Sequence, residues 1–213
     1  MIIETMDTYD LPAFIIVNGK PGQGKTHWIK NFTLHHASRF THGCVFTHNP
    51  QQHQYMPRRR IFTGSDAEEK IAAILDHQDD TRKRKGNPDP MLLIFDDFLN
   101  VKFNGHVLTK LFTEFRHKSI TIILSTQWVN KVPPVARQCA THAITFKTQA
   151  KKVLDALFEN YATDFDNWRE LKMYIGRVLL EDYQHLAIKT AGHGHDKYRV
   201  RKCGLIPQFK LEF

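Results

Sequence analysis

Cysteine is scarce in this chain and carries no pattern: Cys44, Cys139 and Cys203 are odd in number, far apart and outside any C-x-x-C spacing. That argues against a disulfide framework and points to a reducing compartment. Long apolar runs are missing too. No segment approaches the roughly 20 apolar residues that a membrane-spanning helix needs, and the N-terminus lacks the basic and apolar regions of a signal peptide. A soluble, intracellular protein is expected. Histidine is plentiful, with 13 residues, yet neither His35-His36 nor His193-Gly194-His195 stands in a Cys/His frame of zinc spacing. Internal repeats and low-complexity segments are absent. Acid is outnumbered by base, 22 residues to 30, and the formal charge of +8 favours a polyanionic partner without requiring one. The 213 residues fit a single α/β domain over 1–213 with room for a substantial core.

What is present is organised around Phe14 to Lys30, an apolar strand that breaks into a Gly-rich loop and ends in Lys25-Thr26 at the start of a helix. Gly19, Lys20, Pro21, Gly22, Gln23, Gly24, Lys25 and Thr26 form the pattern G-x-x-x-x-G-K-[ST]. Glycines let the backbone curl so that several N–H groups and the helix N-terminus make a positively polarised nest for phosphate oxygens. Lys25 adds a point charge near the β and γ phosphates, and the Thr26 hydroxyl is a hard oxygen ligand for Mg²⁺.

Three further stretches belong to the same chemistry. Met91 to Phe95 is fully apolar, as a parallel strand covered on both faces should be, and runs into Asp96-Asp97. Because successive side chains alternate in direction, the two acids can divide the work. Asp96 is expected to hold Mg²⁺, directly or through its water, and Asp97 to orient and deprotonate the attacking water. A helix from Gly105 to His117 ends in Arg116-His117-Lys118, and Ile120 to Leu124 is a third apolar strand that leads into Ser125-Thr126-Gln127. The active site is expected along the carboxyl ends of these strands.

Elsewhere the patterning predicts a helix over 24–38, a turn at His42-Gly43, and a short strand from Cys44 to Thr47. A helix capped by Ser65 or Asp66 carries Ile71, Ile74 and Leu75 and ends near His77. Arg82-Lys83-Arg84-Lys85 is read as a basic loop, either solvated or facing nucleic acid. Val153, Leu154, Leu157, Phe158 and Tyr161 repeat at helical spacing, and the C-terminal part offers strand-like pieces at Arg177 to Leu180 and Lys197 to Arg201.

The order of phosphate loop, L-L-I-F-D-D, F-R-H-K and I-I-L-S-T-Q-W resembles the genome-packaging ATPases of large DNA viruses, the poxvirus-type members of the FtsK/HerA group of P-loop translocases. The resemblance covers about residues 13–146 and leaves a C-terminal helix and strands over 147–213. It implies a RecA-like α/β core of mostly parallel sheet, with the strand Ile120 to Leu124 between the strands of the two phosphate motifs and small C-terminal β additions. It also implies ATP and Mg²⁺ as cofactors, Gln127 as sensor of the γ-phosphate, double-stranded DNA as partner through non-specific phosphate contacts, and a ring, usually a hexamer in this group, with an arginine supplied in trans. Arg116 is the first candidate for that arginine and Arg137 the second. A viral capsid component as partner and a place at cytoplasmic assembly sites or in the virion follow from the same likeness. The rival reading is a P-loop kinase acting on a nucleoside or other small acceptor, with Arg82 to Lys85 in a closing lid. A signalling GTPase is disfavoured, because Asn130-Lys131 continues as Val132-Pro133 rather than completing N-K-x-D.

Overall fold

The computed structural model describes residues 9–64, 66–98, 105–191 and 197–213. Among the described residues eight strands form one sheet: β1 Phe14–Asn18, β2 His42–Thr47, β3 Ile61–Phe62, β4 Met91–Asp96, β5 Ile120–Thr126, β6 His142–Phe146, β7 Gln184–Lys189 and β8 Tyr198–Lys202. Their order is β3-β2-β4-β5-β1-β6-β7-β8. The first six strands in chain order pair parallel, and β7 and β8 add antiparallel at one side. β5 lies between β1 and β4, as expected, so the strands of both phosphate motifs flank a common neighbour.

The apolar runs are continuous because both sheet faces are covered. Phe14 and Ile16 of β1, with Leu93 and Phe95 of β4 and Ile122 and Leu124 of β5, point into one layer. That layer is filled by α2 Ala67–Lys85, α3 His106–Glu114, α4 Pro134–Cys139, α5 Lys151–Tyr161 and α6 Trp168–Val178. Ile15, Val17, Leu92, Ile94 and Ile123 alternate into the opposite layer, which α1 Lys25–His36 covers with Trp28, Ile29 and Phe32. Tyr9 and the segment after β8 complete that cover, with Phe209, Leu211 and Phe213 packed against it.

Four local expectations change. The supposed turn at His42-Gly43 is the start of β2, because both residues pair in register with Met91 and Leu92. α2 does not stop near His77. It runs to Lys85, so Arg82 to Lys85 form its last turn rather than a loop. Arg and Lys are good helix formers, basic charge suits a helix C-terminus, and the first residue to end the helix is Gly86 at φ +83°. Arg177 and Val178 belong to α6, while the unpredicted strand is Gln184–Lys189. α1 gives way at Ala37 to a single 3₁₀ turn. Asp66 occupies the cap position of α2, with no side-chain capping bond among the described residues. Ser65, His193 and His195 lie outside the described residues, as do residues 1–8.

Candidate active site

The phosphate loop spans the carboxyl end of β1 and the start of α1, and its conformation shows why glycine is required. Gly22 at φ +79° and Gly24 at φ +108° occupy backbone space that side chains rarely enter. A Cβ on Gly19 would come within 2.9 Å of the Phe146 ring, and one on Gly24 within 2.9 Å of the Tyr183 ring. Gln23 ties the curl together: its Oε1 accepts from Lys20 N at 2.7 Å and its Nε2 donates to Lys147 O at 2.6 Å. Gly19 N donates to Thr126 O at 3.1 Å, which fixes the loop to the end of β5. Lys20, Pro21 and Gly22 are exposed at the rim, with Gln23 and Gly24 half-buried behind them.

Lys25 is buried, and its ammonium lies 3.6 Å from Asp97 Oδ2. Gln127 Nε2 approaches the same oxygen at 3.5 Å. Lys25, Asp97 and Gln127, brought from three strand ends, therefore converge at one point. Asp97 has φ +49°, and its side chain is 44 % exposed against 5 % for that of Asp96. One strand end thus delivers two carboxylates into different surroundings.

Asp96 Oδ2 lies 3.3 Å from the Thr26 hydroxyl, which in turn lies 3.0 Å from Gln52 Oε1. His53 Nε2 donates to the same Asp96 oxygen at 2.9 Å. Burial pushes the Asp96 carboxyl up, but the hydrogen bond from His53 and, further off, the Ser125 hydroxyl and the Lys25 ammonium outweigh it and hold the group below the usual carboxylate range. Asp96 Oδ1 is buried without a hydrogen-bond partner among the described residues. A buried, ionised oxygen left bare beside a threonine hydroxyl fits a magnesium ion, which takes one or two protein oxygens and completes its shell with water and phosphate. Thr26 and Asp96 are the residues that would hold it.

The sequence reading does not single out His53 or Gln52. They lie in the 3₁₀ turn Pro50–His53 that follows β2, and no motif marks them. The one signal is positional: β2 is paired with β4 so that Thr47 stands opposite Asp96, and whatever follows β2 must cross the site.

Arg116 is not among the converging residues. It is exposed beyond the end of α3 and directly before β5, at the amino edge of the sheet, where Ser119 N donates to Arg116 O at 3.1 Å and Met91 N to Ser119 O at 2.9 Å. Arg137 lies in α4, with its backbone carbonyl accepting from the Tyr161 hydroxyl at 3.2 Å and its Nε buried without a partner among the described residues. Trp128 is half-exposed and lines, with Asn18, Lys20 and Pro21, a cavity of about 200 Å³ beside the loop.

The sequence profile of the poxvirus A32 protein family matches residues 9–163. The chain belongs to that family. In structure it is similar to the genome packaging NTPase B204 of Sulfolobus turreted icosahedral virus 2 in complex with AMPPCP, at 16 % identity and a TM-score of 0.69, over 91 % of this chain and 99 % of the other. The complex of the same NTPase with ATP-γS superposes with a TM-score of 0.68 at 17 % identity, over 91 % of this chain and 98 % of the other. A more distant similarity is to EccC of Thermomonospora curvata, with a TM-score of 0.61 at 10 % identity, where the match takes in 92 % of this chain but only 37 % of the larger protein. No curated protein matches the sequence. At these identities the structural likeness shows a shared P-loop NTPase fold, and the family membership rests on the sequence profile.

Proposed function

We propose that this A32-family chain is an ATP-hydrolysing motor that moves double-stranded DNA, and that its task is packaging a viral genome. The observation that carries the reading is the convergence of Lys25, Asp97 and Gln127 beside the phosphate loop. The reading takes the exposed carboxylate as the group that faces the attacking water, the lysine as the balance for the phosphate charge and the amide as the reporter on it. The B204 relative, described as a genome packaging NTPase and bound to AMPPCP, supports the same assignment.

The loop amides and the N-terminus of α1 bind the phosphates, and Lys25 neutralises charge at the β and γ positions. Magnesium would be held by Thr26 and Asp96 and would supply neutralisation of the phosphate charge. Asp97 orients the attacking water and takes its proton, with Gln127 holding the carboxylate from the β5 side. Arg116 cannot serve its own site across the length of the sheet. It acts in trans, in a ring of copies, as an arginine finger whose contribution is on the order of 10³-fold or more in rate. Arg82 to Lys85 at the end of α2 contact DNA phosphates without reading sequence. The chain works at intracellular sites of virus assembly, beside a capsid component.

The test is ATP turnover with and without duplex DNA. Turnover is expected to rise with DNA, to lose that rise as salt increases, and to vanish in Lys25→Ala. Turnover that instead depends on a nucleoside acceptor and ignores DNA at every salt concentration contradicts the motor and supports a kinase.

A further inference from the structure

His53 is fully buried, yet it is placed among polar groups of the site rather than in the apolar layers. Its ring is held from both sides: Nε2 meets Asp96 Oδ2 at 2.9 Å, and Nδ1 meets the Tyr55 hydroxyl at 3.0 Å. An ionised carboxylate only accepts, so Nε2 carries the proton of the first bond. Burial drives the Tyr55 hydroxyl well above the usual phenol range, so that group stays protonated. Tyr55 is itself anchored from the far end of the chain. Its carbonyl accepts from Leu211 N at 2.8 Å, and its ring packs against Phe209 with centroids 5.1 Å apart.

The arrangement matters because a carboxylate has two equivalent oxygens and turns freely about its last bond. The other neighbour of Oδ2, the Thr26 hydroxyl, has one proton to give and lies nearer to Gln52 Oε1, at 3.0 Å against 3.3 Å. His53 is therefore the secure donor to Oδ2, and engaging Oδ2 leaves Oδ1 bare. We infer that His53 is a positioning residue for the metal carboxylate: together with Tyr55 it fixes the rotation of Asp96 so that Oδ1 faces the divalent cation. The inference rests on the reading of Asp96 as a magnesium ligand. Residues that orient metal ligands in this way typically contribute about 10- to 100-fold in metal affinity.

The test uses the full chain with a non-hydrolysable ATP analogue and Mn²⁺ as probe, free Mn²⁺ being followed by its EPR signal. Nucleotide binding without metal, in EDTA, is measured in parallel. His53→Ala is expected to weaken Mn²⁺ binding about 10- to 100-fold while metal-free nucleotide binding stays as in the wild type. His53→Gln, whose amide can donate from the Nε2 position, is expected to recover most of the loss, and Tyr55→Phe to show a smaller loss of a few-fold. Wild-type Mn²⁺ affinity in His53→Ala, or no recovery in His53→Gln, overturns the inference. If His53→Ala does not fold, Tyr55→Phe decides, and wild-type affinity there overturns it as well. Asp96→Asn is the control that separates the two levels. If it leaves Mn²⁺ binding intact the ligand assignment itself falls, whereas weak binding in Asp96→Asn with normal binding in His53→Ala removes only the role of His53.

Discussion

Asp96 and Asp97 are neighbours with opposite surroundings, and the contrast predicts opposite phenotypes. Asp97 is half-exposed and lies beside Lys25 and Gln127. Its replacement by Asn keeps size and polarity but removes the proton acceptor. Asp97→Asn is expected to bind ATP as the wild type does and to lose about 10²- to 10⁴-fold in hydrolysis, the usual contribution of a positioned base. Equilibrium binding of a fluorescent ATP analogue together with single-turnover hydrolysis checks both halves, and normal hydrolysis would show that the division of labour between the two acids is wrong. Both aspartates were legible in the sequence, because an apolar run that ends in two acids, downstream of a phosphate loop, marks a buried strand that carries carboxylates to a nucleotide. His53 was not, since one histidine in a polar segment carries no periodicity and its partner lies 43 positions away. Only the pairing of β2 with β4 brings them together.

At the level of elements, α2 shows where hydrophobic periodicity stops being a guide. Ile71 and Leu75 mark the buried face, and the apolar pattern ends there, but the buried face itself continues through Gln78 and Thr81. Gln78 Nε2 donates to Asp89 O at 2.7 Å and to Lys118 O at 2.9 Å, so a polar side chain does the work that an apolar one does a turn earlier. It ties α2 to the loops that begin β4 and β5. Gln78→Leu fills similar space and leaves two carbonyls without their donor, which is expected to cost about 1–3 kcal/mol. Urea unfolding should show a lower midpoint with an unchanged slope, and nucleotide affinity should not move, because these loops are at the amino edge. β7 was missed for a related reason. Its residue His185 accepts a hydrogen bond of 3.1 Å from the indole Nε1 of Trp28, a contact between α1 and the C-terminal additions that no local pattern announces.

Across the whole molecule, the two edges of the sheet carry different groups. The carboxyl edge holds the phosphate loop, Asp96, Asp97 and Gln127, and a strand of the length of β5, seven residues, puts the amino edge roughly 23 Å away. Arg116 and the basic end of α2 lie near that far edge, where the residues leading into β4 and β5 begin. Under the proposed motor reading, an arginine at the far edge would reach the phosphates of another copy and not those of its own site. Sequence order made the parallel core legible, since each apolar strand ends in polar groups for one site, whereas the place of β5 between β1 and β4 came from the family resemblance. The ring of copies was an implication of the family resemblance alone and remains part of the proposal, because no residue of one chain reports the position of the next. A motor of this kind couples hydrolysis to movement along duplex DNA, and displacement of a third strand from a defined triplex ahead of it measures that movement. ATP with Mg²⁺ is expected to release the third strand at a rate that falls as salt rises, and Lys25→Ala to release none. ATP hydrolysis stimulated by DNA, with the third strand left in place at every salt concentration, would contradict the claim.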